Sequence, residues 1–83
     1  MTQLLFFGKL GDLAGGRMRD IALPETKTTV AQLIATIDEG DPTLGSALRD
    51  ASVRIVVNEK FCPADTVVDA NDEVAFLPPV SGG

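Results

Sequence analysis

The residues with the clearest chemical meaning are the last six, Pro78-Pro79-Val80-Ser81-Gly82-Gly83. Adjacent prolines fix φ and favour an extended backbone without internal hydrogen bonds. The glycines that follow carry no side chain, so the tip would fit a channel too narrow for a Cβ. Fully extended, the six residues would reach roughly 20 Å at ~3.3 Å each. A pair of terminal glycines arises by chance about once in 200 chains, so the glycines alone are a weak signal. The proline stalk before them makes the tail read as a tether, with Gly83 taken as the natural terminus. A carboxylate there is a poor electrophile until an activating enzyme uses ATP to form an acyl adenylate. Attack by a thiol, a persulfide or an amine then gives a thioester, a thiocarboxylate or an amide.

Such chemistry needs no second catalytic group in the same chain, and the composition offers few. There is no His, which removes the commonest general base and metal ligand. A single Cys excludes an internal disulfide and a cysteine-rich zinc cluster. Cys62, between Phe61 and Pro63, reads as a small buried hydrophobe. Asp38, Glu39 and Asp41 sit where a helix ends and read as solvated surface, so no metal site is expected. Gly8-Lys9 lacks the upstream glycine and the Ser/Thr of a phosphate loop, and Gly15-Gly16 reads as an ordinary loop. The net charge of -5 disfavours nucleic acid and favours a partner with a basic face. The apolar run Leu4-Leu5-Phe6-Phe7 is too short for a signal sequence or a membrane span. A cytoplasmic protein without bound cofactor is the expectation. A chain of 83 residues is one domain. At that size it buries only about 60–65% of its unfolded surface, leaving little room for a substrate pocket.

The elements that must carry the tail follow from pattern. Residues 3–10 read as a first strand and residues 17–23 as a second, stopped by Pro24, the two joined as a hairpin through a glycine-bearing loop. Thr29 and Gln32 have capping-box spacing, and Val30, Leu33, Ile34 and Ile37 form one apolar stripe, predicting a helix that stops at Gly40. Asp41-Pro42 starts a second short helix with Leu44, Ala47 and Leu48 inward. Residues 53–57 are a β-branched strand, Asn58-Glu59-Lys60 a turn, and Phe61-Cys62 the start of a short return strand. Asn71-Asp72 is another turn, residues 73–77 the last strand, and Pro78-Pro79 its end. The class is α+β: a mixed sheet packed on one main helix. Residues 1–77 form the domain, and residues 78–83 a flexible, extended tail.

Three stretches resemble the small, sulfur-carrying subunit of molybdopterin synthase, within the ubiquitin-like sulfur carriers. They are Leu4-Leu5-Phe6-Phe7-Gly8-Lys9-Leu10 with Leu13-Ala14-Gly15, then Val56-Val57-Asn58, and most specifically residues 72–83, ending Pro-Pro-Val-Ser-Gly-Gly. The resemblance implies a β-grasp fold. It implies adenylation of Gly83 by a ubiquitin-activating-type enzyme and conversion to a thiocarboxylate by a persulfide sulfur donor. The tail, Pro78 through Gly83, then enters the larger catalytic subunit and gives sulfur to a cyclic pterin, precursor Z, within a heterotetramer of two large and two small subunits. The chain itself is then a sulfur-donating rather than a catalytic subunit. The family often carries a basic residue shortly after the first strand, where this chain has Gly11, with Lys9 the available substitute. The thiazole-forming sulfur carrier of thiamine synthesis, a lysine-conjugated modifier and a plain binding module are the competing readings.

A docking surface follows from alternation along the strands. If Phe6 and Phe76 face the helix, Phe7 and Leu77 lie on the opposite face of the sheet, where apolar side chains are unfavourable without a partner. Phe61, after the turn, is placed to join them. These three positions match the hydrophobic docking patch of the resembled family.

Overall fold

The computed structural model describes residues 1–23 and 26–79. Its elements run β1 (Thr2–Phe6), α1 (Lys9–Ala14), β2 (Met18–Ile21), β3 (Thr28–Thr29), α2 (Val30–Gly40), α3 (Pro42–Leu48), β4 (Arg54–Val57), β5 (Lys60–Phe61), β6 (Val67–Val68) and β7 (Glu73–Leu77). Five strands form one sheet in the order β2-β1-β7-β4-β5, and β3 pairs with β6 in a second, two-stranded sheet. The central pair, β1 with β7, is parallel, while β2 and β4 flank it antiparallel. The expected α+β class with a mixed sheet is therefore present.

α2 forms as its sequence predicts. The Thr29 hydroxyl accepts from the Gln32 backbone N–H at 3.1 Å, and the Gln32 side chain accepts from the Thr29 N–H at 2.8 Å. Both bonds satisfy donors that the first helical turn would otherwise leave open. Val30, Leu33, Ile34 and Ile37 are all buried against the sheet, with Leu4, Phe6, Val74 and Phe76 facing them. The Phe6 and Phe76 rings stack at 5.7 Å between centroids. α3 crosses close to α2 at Gly45, where a Cβ would lie 2.7 Å from the Asp38 Cα. Leu44 and Leu48 of α3 are buried and Ala47 is packed against the core, as expected.

Four expectations need correction. Residues 9 and 10 belong to a helix, not to the first strand. Gly8, at φ 56° and ψ -136°, turns the chain out of β1, and Leu10 then swings into the core as part of α1. The hairpin of β1 and β2 is real, but its connection contains that helix. The second strand is shorter than 17–23, and its stop at Pro24 lies outside the described residues. Gly40 does not end α2 before it; the helix includes Gly40, and Asp41 is at once its C-cap and the N-cap of α3, accepting from the Leu44 N–H at 3.1 Å. A helix that must start immediately places the break at the capping carboxylate rather than at the glycine.

Candidate functional site

The site is the outer face of the sheet and the place where the chain leaves it. Strand registers put Met18 of β2, Leu5 of β1, Ala75 of β7, Val56 of β4 and Phe61 of β5 in one transverse row. All lie on the face turned away from α2, because their neighbours Leu4, Phe6, Val74 and Phe76 face the core. Phe61 is 63% and Met18 58% exposed, while Leu5, Val56 and Ala75 between them are half-buried or buried by one another. The row is apolar from edge to edge and has no cover among the described residues.

The tail leaves from one end of this face. The Phe7 N–H donates to the Phe76 carbonyl at 3.1 Å, extending the β1–β7 ladder to the end of β7. Phe7 is 41% exposed and continues the outward alternation of Leu5; Leu77 is half-buried beside it. Pro78 lies against Gly8, so close that a Cβ on Gly8 would sit 2.9 Å from its Cγ. Positive φ and this contact together require glycine at position 8. The stalk therefore begins in fixed geometry on the edge of the fold, with Pro79 exposed. Val80, Ser81, Gly82 and Gly83, the remaining tail residues and the expected reactive end, lie outside the described residues.

The structure brings Phe7, Leu77 and Pro78 together, and places Phe61 on the same face toward its β5 edge. Sequence reasoning does not reach Met18, Val56 or Arg54, because their facing depends on register. The signal available was the outward alternation of Leu5 and Ala75, which needs only the pairing of Val56 with Ala75 to continue across the sheet.

The features set aside keep their ordinary roles. Asp38 pairs with Arg49 at 3.2 Å, and Asp41 caps α3. Among the described residues no group of His, Cys, Asp and Glu is arranged to hold a metal. Cys62 is half-buried and packed on the core. Lys9 opens α1 and is exposed. A hollow of about 290 Å³ lined by Ala31, Ile34, Leu48, Val53 and Ile55 lies on the helical side, not on the outer face. Among the described residues no helix is long and apolar enough to cross a membrane.

Residues 4–83 match the model of the ThiS family. This chain belongs to that family. A molybdopterin synthase sulfur carrier subunit of Dictyostelium discoideum is 32% identical over 83 residues, covering 98% of this chain and 94% of the relative. Among solved structures, SAMP1 of Haloferax volcanii, a small archaeal modifier protein, superposes with a TM-score of 0.83 at 24% identity, covering 99% of this chain and 98% of that one. A complex of subunits 1 and 2 of the molybdopterin-converting factor of Helicobacter pylori matches with a TM-score of 0.65 at 22% identity, over 99% of this chain and 97% of that one. The ubiquitin-like β-grasp expected from the tail and strand motifs is thus the fold of this ThiS family member.

Proposed function

We propose that this chain is the sulfur carrier subunit of a molybdopterin synthase. The observation that carries the reading is the uncovered apolar row from Met18 to Phe61 together with Phe7, Leu77 and Pro78 beside it, where the stalk departs. A face of that kind binds a partner and at the same time aims the tail into it. The full-length match to a relative named for this role supports it, as does a family-fold neighbour solved in complex with its second subunit.

In this reading Phe7, Phe61 and Leu77 dock on the large catalytic subunit. Pro78 and Pro79 stiffen the start of the tail, and Val80 and Ser81 bind the large subunit as Gly82 and Gly83 enter its channel. An adenylyltransferase of the ubiquitin-activating type first binds the carrier with ATP. A Gly83 carboxylate oxygen attacks the α-phosphorus, and pyrophosphate leaves. The outer sulfur of a persulfide donor then displaces AMP to give an acyl disulfide. A thiol of the donor system attacks the donor's own sulfur, forming a disulfide there and freeing the Gly83 thiocarboxylate. The thiocarboxylate sulfur is nucleophilic and attacks a side-chain carbon of the pterin, precursor Z (cyclic pyranopterin monophosphate), whose bond to a cyclic-phosphate oxygen breaks; hydrolysis of the resulting thioester restores the Gly83 carboxylate with the sulfur left behind. Successive loaded tails supply the two sulfurs of a dithiolene, within an assembly of two large and two small subunits. The chain binds no cofactor of its own and works in the cytoplasm, where ATP is available.

The test is an intact mass of the chain after incubation with ATP, the activating enzyme and a persulfide donor. Replacement of one oxygen by sulfur at Gly83, discharged by precursor Z in the presence of the large subunit, is the expected result. Discharge by a thiazole-forming system instead would assign the chain to thiamine synthesis. Adducts to protein lysines without sulfur loading would make it a modifier, and no change at all would leave a binding module.

A further inference from the structure

The apolar row gives a docked partner affinity but no direction. Met18, Leu5, Ala75, Val56 and Phe61 run across the strands, so a partner turned end for end would bury the same side chains. A tail that must enter a channel tolerates only one of these orientations. Charge on the outer face does have a direction. Arg54 pairs with Leu77 in the row nearest the tail. Asp20, Gln3 and Glu73 form the row at the opposite end, roughly 13 Å away at ~3.3 Å per residue. Among the described strand residues of this face, Arg54 is the one cation.

Arg54 differs from Arg19, the other arginine stacked on a phenylalanine. Arg19 lies 5.9 Å from the buried Phe6 ring, and its guanidinium donates to the Ala14 carbonyl at 2.6 Å. Its hydrogen bonding is internal. The Arg54 guanidinium lies 4.6 Å from the centroid of the exposed Phe61 ring and has no acceptor or ion pair among the described residues. Its place over the ring keeps it at the docking face, with its fork of donors free.

We infer that Arg54 is the specificity-determining contact of this face: it takes a carboxylate of the large subunit, at the rim of the channel that the tail enters. The inference rests on the sulfur-carrier reading above. A planar guanidinium fits a carboxylate with two parallel hydrogen bonds, and partial exclusion of water by Phe61 and Leu77 strengthens the pair. In the reversed orientation the same carboxylate meets Asp20 and Glu73, and like charges oppose docking. This chain is acidic overall, so a carboxylate accepted at one point on it is a selective contact.

The experiment measures binding of Arg54 variants to the large subunit of the same organism by calorimetry at several salt concentrations, with thermal melts alongside. Arg54→Met keeps an apolar stem over Phe61 without the charge; it should bind about ten-fold more weakly and with a shallower salt dependence. Arg54→Glu should bind about a hundred-fold more weakly, and a Lys replacing the partner's acceptor carboxylate should restore part of the loss. Melting should be unchanged, since the side chain is exposed. Weaker binding of Arg54→Met with an unchanged salt dependence would reduce Arg54 to a cover for Phe61 and overturn the assignment. Wild-type affinity of Arg54→Met and Arg54→Glu, with Phe7→Asp unable to bind, would overturn it while leaving the docking face intact. If Phe7→Asp also bound normally, the docking reading would fall together with it.

Discussion

The two faces of one sheet are built from alternate residues of the same strands, and they end in different states. On the inner face Leu4, Phe6, Val74 and Phe76 are at most 1% exposed, sealed by the apolar stripe of α2. On the outer face Leu5, Phe7, Val56, Phe61 and Leu77 are as apolar but keep contact with water. An 83-residue chain has helices enough to cover one side of a five-stranded sheet. The covered side makes the fold, and the uncovered side is available for recognition. Stability and binding should therefore separate cleanly by residue parity along β1 and β7.

Phe76→Ala should break the inner face. Removing a fully buried, stacked ring costs about 3–5 kcal/mol, a large part of the stability of a small domain, and denaturant unfolding should show the midpoint collapse. Gly45→Ala should follow, at about 1–3 kcal/mol, because the added methyl meets the Asp38 backbone and forces α2 and α3 apart; the same titration reads it. Phe7→Ala sharpens the contrast from the other side. It should lower stability by less than about 1 kcal/mol while weakening capture of the large subunit by about ten-fold or more. A large stability loss with unchanged binding would move Phe7 to the core. Thr29→Ala removes half of the capping box and should cost about 1 kcal/mol without touching partner affinity.

The smallest effect concerns Asp50, in the loop between α3 and β4. Hydrogen bonds from the Ser52 hydroxyl, and then from the Ser52 backbone N–H, hold its carboxyl below the ordinary carboxylate range. A lowered folded pKa contributes stability above the unfolded value and loses it as pH falls through the folded one. Ser52→Ala should raise the Asp50 pKa and shrink that acid-side loss, as followed by carbon NMR of the Asp50 carboxyl group. Sulfur loading should be unaffected.

Most of the fold could be read from residues with local signals. The Thr29–Gln32 box, the stripe from Val30 to Ile37, the Asp41-Pro42 start and the Glu73–Leu77 strand all appear where the sequence places them. α1 was hidden because Leu4 through Leu10 is an apolar run, and only the backbone turn at Gly8 separates strand from helix. β3 and β6 are two residues each and exist by pairing across space, which no local pattern reveals. For the site, the outward placement of Phe7 and Leu77 followed from alternation once Phe6 and Phe76 faced the helix. The continuity of the row and the position of Arg54 beside Phe61 required the β4–β5 and β4–β7 registers. Those registers depend on the turn at Asn58 and Glu59, both at positive φ, and on the Asn58 side chain, which donates to Asp72 and accepts from the Glu73 N–H.

β7 has a consequence for how the protein is made. It follows every other described element in sequence, yet it lies between β1 and β4. During synthesis the helices and the first hairpin emerge while the sheet still has no middle. Only when residue 77 has cleared the ribosome can β1 find its parallel neighbour, a contact between opposite ends of the domain and hence a slow one. A chain whose synthesis stalls before β7 is complete has neither the stalk nor the ordered face beside it.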